Sequence, residues 1–381
     1  MKQHTNPDIR IIKSLSDVDA QQWNTLAGDQ PFLRHEYLAA LESTGCVSQR
    51  AGWIPQHVTI WEDNMLTGAM PLYLKNHSYG EYIFDWAWAE AYQRHGLKYY
   101  PKLVSAIPFT PVTGQRLLAR SQPIRELLFS SAMQLAQDMG VSSLHCLFPV
   151  ESQAKEMQAL GMLLRSSVQF HWQNHDYADF DAYLAGMSHD KRKKIRQERR
   201  KVKDAGVEFE HVRGRDATEA HWAFFYECYQ TTYRQHRSSP YLNLDFFTQI
   251  GATLADNTLL VIASREGRPI ASALNLFNAH TLYGRYWGAL EYVAGLHFET
   301  CYYQAIQFCI QHRIGIFEGG AQGEHKVARG FLPTPTWSVH WLAHPEFSNA
   351  VEAFLAQEAQ GIEHYISELN DSSPFKNTST S

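Results

Sequence analysis

Apolar positions recur along this chain in two rhythms. Residues 57–89, HVTIWEDNMLTGAMPLYLKNHSYGEYIFDWAWA, alternate apolar and polar positions around polar turns at Glu62–Asn64 and Asn76–Gly80. A period of two places every second side chain on one buried face, so the segment reads as strand, turn, strand, turn, strand. Helical spacing governs other stretches. Asp17 to Leu26 reads as a short helix capped by Ser16, and Pro31 opens a second one. There Phe32, Tyr37, Leu38 and Leu41 share a face, and Gly45 ends the run. A third helix is predicted over 123–140. A strand at 141–148, a helix at 152–160 and a strand near 162–172 follow.

The second half repeats the plan. Residues 241–250 stand where the early helix stood, and LLVIASREGRPIASALNLFNAHTLYGRYWGAL, residues 259–290, again predicts three strands and two turns. Residues 59–71 match 261–273 in pattern, and 78–82 fall near 281–286, both at an offset of about 200 residues. The pattern implies an internal duplication. It divides the chain into a first domain at 1–175, a second at 176–368 with a basic helix at its start, and a polar, disordered tail at 369–381.

Composition narrows the class. At 381 residues and 44% hydrophobic content the chain is long enough for two cores. The net charge of −5 excludes a protein that is basic overall. Five scattered cysteines read as reduced thiols, and the N-terminal residues lack the apolar core of a signal peptide. With no apolar stretch long enough to span a bilayer, the expected location is cytoplasmic.

One charge run breaks the balance. In KRKKIRQERRKVK, residues 191–203, nine of thirteen positions are Lys or Arg, with Ile195 and Val202 seven apart. Such a helix lies on the protein by a thin apolar edge and radiates cations. Lys191, Arg192, Lys194, Arg196 and Arg199 are its candidate contacts to tRNA phosphate, a lipid diphosphate or an anionic membrane. The plainer reading is a solvated linker helix. No aromatic residues interleave the cations as stacking on single strands requires, and DNA is not an expected partner.

The run from Phe246 through LLVIA and GRPIASA to LYGRYWG resembles the first strands of the GNAT superfamily, in which the donor thioester binds beside a splayed central sheet. Over nearly the whole chain the sequence more closely resembles FemAB-like proteins, twin GNAT-like folds linked to peptidoglycan cross-bridge synthesis. FLRHEYLAALE (32–42), GAMPLYLK (68–75), YYPKL (99–103) and GAQGEHK (320–326) carry that likeness. The resemblance implies an α/β (mixed α+β) fold of two tandem GNAT-like domains, each a mixed central sheet flanked by helices. It further implies an N-acyltransferase, N-acetyltransferase-like or aminoacyl-transferring, acting on an amine of a cell-envelope precursor or small metabolite. Acyl-CoA and aminoacyl-tRNA both stay open as donors. QRHGLK (93–98) and AGLHF (294–298) keep only part of the glycine pattern that cradles a CoA pyrophosphate. The alternative is a non-catalytic twin fold that binds a peptidoglycan-type or nucleotide ligand.

The densest polar constellation is IGIFEGGAQGEHKVARG, residues 314–330, an apolar strand feeding a glycine-rich turn. Acyl transfer needs a neutral amine, so Glu324 or His325 is the expected base. Gln322, Lys326 and Arg329 are expected to bind substrate, the two cations through a phosphate or carboxylate. Arg285 sits in an otherwise apolar strand and must be paired or face a cleft, with Glu299 or Glu318 as structural partners. Family resemblance adds Lys75, Tyr99, Tyr100 and Lys102 as cleft lining, beside Glu81 and Asp85. His297, Cys301 and Gln304 fall at helical spacing on one face, which is read as core, and neither a metal nor a redox cofactor is expected.

Overall fold

The computed structural model describes residues 7–320 and 323–376, without the Glu324 side chain. The chain separates into two units. Unit 1 takes the described residues up to Ser167 together with Pro335–Glu363, and unit 2 takes Val168–Thr334 together with those from His364 onward.

In chain order the strands are β1 (Asp8–Ile12), β2 (Trp53–Pro55), β3 (His57–Glu62), β4 (Met65–Met70), β5 (Tyr73–Lys75), β6 (Lys102–Ser105), β7 (Leu118–Ala119), β8 (Ser143–Leu147) and β9 (Leu163–Gln173). β10 (Val207–Arg213), β11 (Thr258–Arg265), β12 (Arg268–Phe277), β13 (Thr281–Ala289), β14 (Ile316–Glu318) and β15 (Phe331–Leu342) complete the set. The helices are α1 (Ala20–Ala27), α2 (His35–Ser43), α3 (Trp86–Arg94), α4 (Gln122–Asp138), α5 (Glu151–Ala159), α6 (Phe180–Ala185) and α7 (His189–Asp204). Then come α8 (Glu219–Gln235), α9 (Leu244–Thr253), α10 (Leu296–Phe298), α11 (Gln304–Gln311) and α12 (Pro345–Asp371).

In unit 1, β1, β3, β4 and β7 form an antiparallel sheet, while β2, β5, β6, β8 and β15 make a mixed arrangement in which only β6 and β8 run parallel. Leu128, Phe129 and Ala132 of α4 bury against Val58, Ile60 and Leu144, an apolar face of about three residues per two turns. Unit 2 is a mixed sheet in the order β10, β11, β12, β13, β14, β9, with β13 and β14 parallel. α8 packs so closely on β13 that a Cβ on Gly288 would lie 1.8 Å from the Cys228 carbonyl oxygen, a spacing only glycine permits.

The match between 59–71 and 261–273 holds in three dimensions. Both are antiparallel pairs joined by a tight turn, and both carry a register shift. The match between 78–82 and 281–286 fails, because 76–85 is a loop where β13 is a strand. The third strand expected after Gly80 is that loop followed by α3. Glu81 and Asp85 both reach one ammonium, at Lys102. In a strand two residues four apart stand about 13 Å from each other, so convergence requires the chain to turn. Two boundaries also differ: Asp19, not Ser16, caps α1 by accepting from Gln22 N at 2.9 Å, and α2 starts at His35 rather than beside Pro31. Of the expected tail, Phe375 packs near Tyr183, and residues 377–381 lie outside the described residues.

Candidate functional site

The site in unit 2 begins with a mismatch between two ladders. Between β12 and β13, Leu274 pairs with Tyr286 and Asn275 with Gly284, so Arg285 is one residue too many and bulges. β13 pairs with β14 only over Thr281–Tyr283, after which the ladder ends. A cavity of about 90 Å³ opens there, lined by Asn275, Gly284, Arg285, Trp287, His297, Cys301 and Gly319 among others. Gly284 keeps it open, since a Cβ would come within 3.0 Å of the Phe317 ring.

Polar groups are buried in this wall, at Asn275 and Arg285, and behind it, at Glu318 and Lys326. Arg285 donates to Glu318 Oε2 at 3.1 Å and to the Gly284 carbonyl at 2.8 Å. Burial pushes the Glu318 carboxyl up to about 7, although Arg285 pulls the other way. Asn275 is buried and its Nδ2 has no hydrogen-bond partner among the described residues. Lys326 donates to the Gly320 carbonyl at 3.0 Å, and burial, reinforced by Arg285, pulls its ammonium down to about 7. An amine there is neutral in half the molecules near neutral pH.

His325 lies on the short 3-10 helix Glu324–Arg329, exposed, with Nε2 3.4 Å from the Tyr302 hydroxyl. Partial burial, then Lys326 and Arg329, hold its imidazole below the usual range, so it is neutral at pH 7. Arg329 is buried and engaged inside the fold. It donates to Glu198 at 2.9 and 3.0 Å, to the Tyr303 hydroxyl at 3.0 Å and to the His325 carbonyl at 2.8 Å, with the Phe298 ring 3.4 Å below its guanidinium. Tyr303 in turn donates to Glu198. Gln322 and the Glu324 side chain lie outside the described residues.

His297 and Cys301 line the cavity, but Gln304 does not share their face. Residues Glu299–Tyr303 form a π turn between α10 and α11, which widens the helix by one residue and rotates Gln304 toward Glu299 and His211. Burial raises the Cys301 thiol well above its ordinary range, so it stays protonated. Among the described residues no three His, Cys, Asp or Glu side chains converge as a metal site.

α7 buries Ile195 and Val202 against unit 2, as their spacing predicts, and turns its cations outward. Arg196 pairs with Asp181 and Arg199 with Glu299. Lys191, Arg192, Lys193, Lys194, Arg200, Lys201 and Lys203 form no ion pair among the described residues. Two open hollows flank the helix, about 550 Å³ beside Arg199, Lys203 and Gln307 and about 330 Å³ beside Arg192, Arg196 and Arg200.

Unit 1 holds a separate buried cluster. Lys75 and Lys102 are cross-strand neighbours on β5 and β6. Lys102 donates to Ser78 and Glu81 at 2.8 Å each and to Asp85. Tyr99 donates to Asp85 at 2.6 Å, and Tyr100 shares a 2.9 Å hydrogen bond with Ser78. Lys75 donates to the Tyr79 carbonyl at 3.1 Å, lies 4.0 Å from Glu81 and sits 3.6 Å over the Trp53 ring, and burial pulls it down to about 7. Behind Tyr99 lie His145, pushed down to about 3 by burial, and His340, with their Nδ1 atoms 2.7 Å apart. In QRHGLK, Gln93 and Arg94 end α3 and Gly96 follows at φ 72°, so this segment presents a helix C-terminus, the wrong end of the dipole for a pyrophosphate.

Sequence reasoning missed Asn275 and Glu198. The one amide in ASALNLF and the one acid in 191–203 were the only local signals.

A family model described as FemAB-like, peptidoglycan biosynthesis and recognition, matches residues 14–377. Among solved structures, FemX superposes with a TM-score of 0.55 at 11% identity, covering 88% of this chain and 98% of that one. The C-terminal domain of a putative lysylphosphatidylglycerol synthetase from Agrobacterium fabrum gives 0.55 at 8% identity, over 89% and 96%. The L-PGS of Bacillus licheniformis gives 0.55 at 8%, over 88% and 96%. These likenesses carry the mixed α+β fold alone. No curated protein matches the chain.

Proposed function

This chain belongs to the FemAB-like family, and we propose that it moves an acyl or aminoacyl group onto an amine of a peptidoglycan-type precursor, with the cavity of unit 2 seating the donor carbonyl. The observation that carries this reading is the parting of β13 from β14 at the Arg285 bulge, with the Asn275 amide nitrogen, which has no partner among the described residues, buried in its wall. A carbonyl oxygen placed there would accept from Asn275 Nδ2, which is fixed before the reaction and stabilises the charge that develops on that oxygen. His325, neutral at pH 7, takes the proton that the attacking amine must lose. The amine nitrogen bonds to the carbonyl carbon, and collapse of the tetrahedral adduct breaks that carbon's bond to the donor oxygen or sulfur, which leaves as hydroxyl or thiol with the proton returned from His325.

Between the two donors, aminoacyl-tRNA is favoured. α7 offers seven cations with no ion pair among the described residues, spread over thirteen positions or about 20 Å of helix, to a phosphate backbone. The first glycine-poor loop faces away from a pyrophosphate-binding geometry. The reading puts the work in the cytoplasm, where both donors are made. Its test is to incubate the protein with an amine-bearing muropeptide precursor and either charged tRNA or acetyl-CoA, and to weigh the product. A mass increment from charged tRNA supports the reading. An increment from acetyl-CoA alone changes the donor. No increment from either, with ligand still bound, would make the chain a recognition protein.

A further inference from the structure

The buried ion cluster of unit 1 has an outward consequence. Glu81 and Asp85 point inward to Lys102, and the loop between β5 and α3 is pinned at both of those positions. The residues between and beside them are thereby forced out: Tyr79 is 57% exposed, Phe84 62% and Trp86 41%. The Tyr79 and Trp86 rings lie 5.1 Å apart, and the Phe84 carbonyl accepts from Arg165 at 2.9 Å, which fixes the tip. Other exposed apolar residues of unit 1 are scattered, whereas these three fall within eight positions.

We infer that this loop is a membrane-contact element that seats Phe84, Trp86 and Tyr79 in the headgroup boundary of an anionic bilayer. Tyr and Trp carry an apolar body with one polar tip and concentrate at that boundary, and Phe84 has no polar atom to satisfy. The surrounding charge suits anionic headgroups. Arg50, Arg94 and Lys98 are exposed and form no ion pair among the described residues, against two exposed acids, Glu90 and the Glu346 that adjoins Phe347, whose ring packs on Tyr92 and His95. Arg50 belongs to this face because the neighbouring Ala51 carbonyl is 3.1 Å from His77, whose ring packs on Tyr79. A sugar platform fits less well, since carboxylates that would bind hydroxyls at a ring edge are here spent on Lys102. The rigid anchoring means that little loop entropy is lost on insertion. Among the described residues no helix is long and apolar enough to cross a membrane, so the contact is peripheral.

The test is co-sedimentation of the full chain with vesicles of phosphatidylcholine mixed equally with phosphatidylglycerol. Wild type should pellet, and the double variant F84S/W86S should partition about tenfold less. Both positions are exposed, so the variant should keep its melting temperature, which circular dichroism checks. A charge-reversed α7 carrying K193E and K194E should still pellet. Brominated lipid should quench wild-type fluorescence more than that of W86F. The inference falls if the double variant pellets like wild type, or if only the α7 variant loses binding. It falls too if gel filtration shows a wild-type dimer that F84S abolishes, or if a soluble muramyl saccharide raises the melting temperature only when Trp86 is present. Vesicles contain no acyl donor, so failure here leaves the proposed transfer reaction standing.

Discussion

Glu198, the only acid between Lys191 and Lys203, accepts two hydrogen bonds from a single guanidinium nitrogen of Arg329, at 2.9 and 3.0 Å. The pair ties α7 to the 3-10 helix that carries His325 and Lys326. Removing one partner of a buried pair leaves the other charge uncompensated. Arg329→Ala should therefore cost about 3 kcal/mol, and Arg329→Lys less. Urea unfolding measures this; an unchanged midpoint for Arg329→Ala would show that the clamp is idle.

Lys102→Met should destabilise unit 1 in a pH-dependent way. Asp85 is held down at about 2 despite burial because Lys102 is beside it, so its stabilisation is present above 3.8 and lost as pH falls toward 2. Glu81 is pushed up to about 7 by burial, so ionising it erodes stability as pH rises from 4.5 to 7. Without Lys102 Asp85 loses its counter-ion and Glu81 keeps only the Lys75 ammonium, 4.0 Å away. The variant's deficit should be about 4 kcal/mol near pH 8 and shrink toward pH 5 as the acids take protons. A deficit that is flat with pH would contradict the cluster's charge assignment.

Lys326→Met offers the opposite sign. The ammonium titrates at about 7 in the fold against an ordinary 10.5, so the unfolded chain binds the extra proton between those values. Stability rises with pH across that window. The methionine variant should melt higher than wild type below pH 7 and converge with it as pH approaches 10.5. Melting curves at several pH values decide it, and a variant that melts lower throughout would mean the hydrogen bond to Gly320 outweighs the buried charge.

Asn275→Ala separates catalysis from folding. Its Nδ2 has no partner to lose among the described residues, so the melting temperature should hold. If the amide polarises the donor carbonyl, kcat should fall about 10²–10³-fold with little change in KM. Activity that survives the substitution removes Asn275 from the mechanism.

Reversing Lys193, Lys194 and Arg200 to Glu should weaken charged tRNA and lower the salt dependence of binding by about one unit of slope for each phosphate no longer neutralised. Acetyl-CoA binding, if any, should be untouched. Equal losses for both ligands would point to damage in unit 2 rather than to α7.

What the sequence determined by itself is local. Alternation located β3, β4 and β11 to β13, because a period of two reports which face of a strand is buried. Ile195 and Val202 showed which edge of α7 lies on the protein, because seven residues are close to two turns. The strand-helix alternation and the long FemAB-like motifs pointed to the twin architecture. The tertiary structure decided what those periods cannot carry. Arg285 is a bulge only because Asn275 pairs with Gly284, and that register belongs to two strands at once. His297 and Gln304 part company because a π turn intervenes, a change in helix winding that spacing alone does not reveal. Glu81 and Asp85 break an expected strand because Lys102 draws them inward, and Glu198 meets Arg329 across 131 positions of chain. Ion pairs and cavities depend on which surfaces are brought together after the elements form, whereas periodicity records only which side of each element is dry.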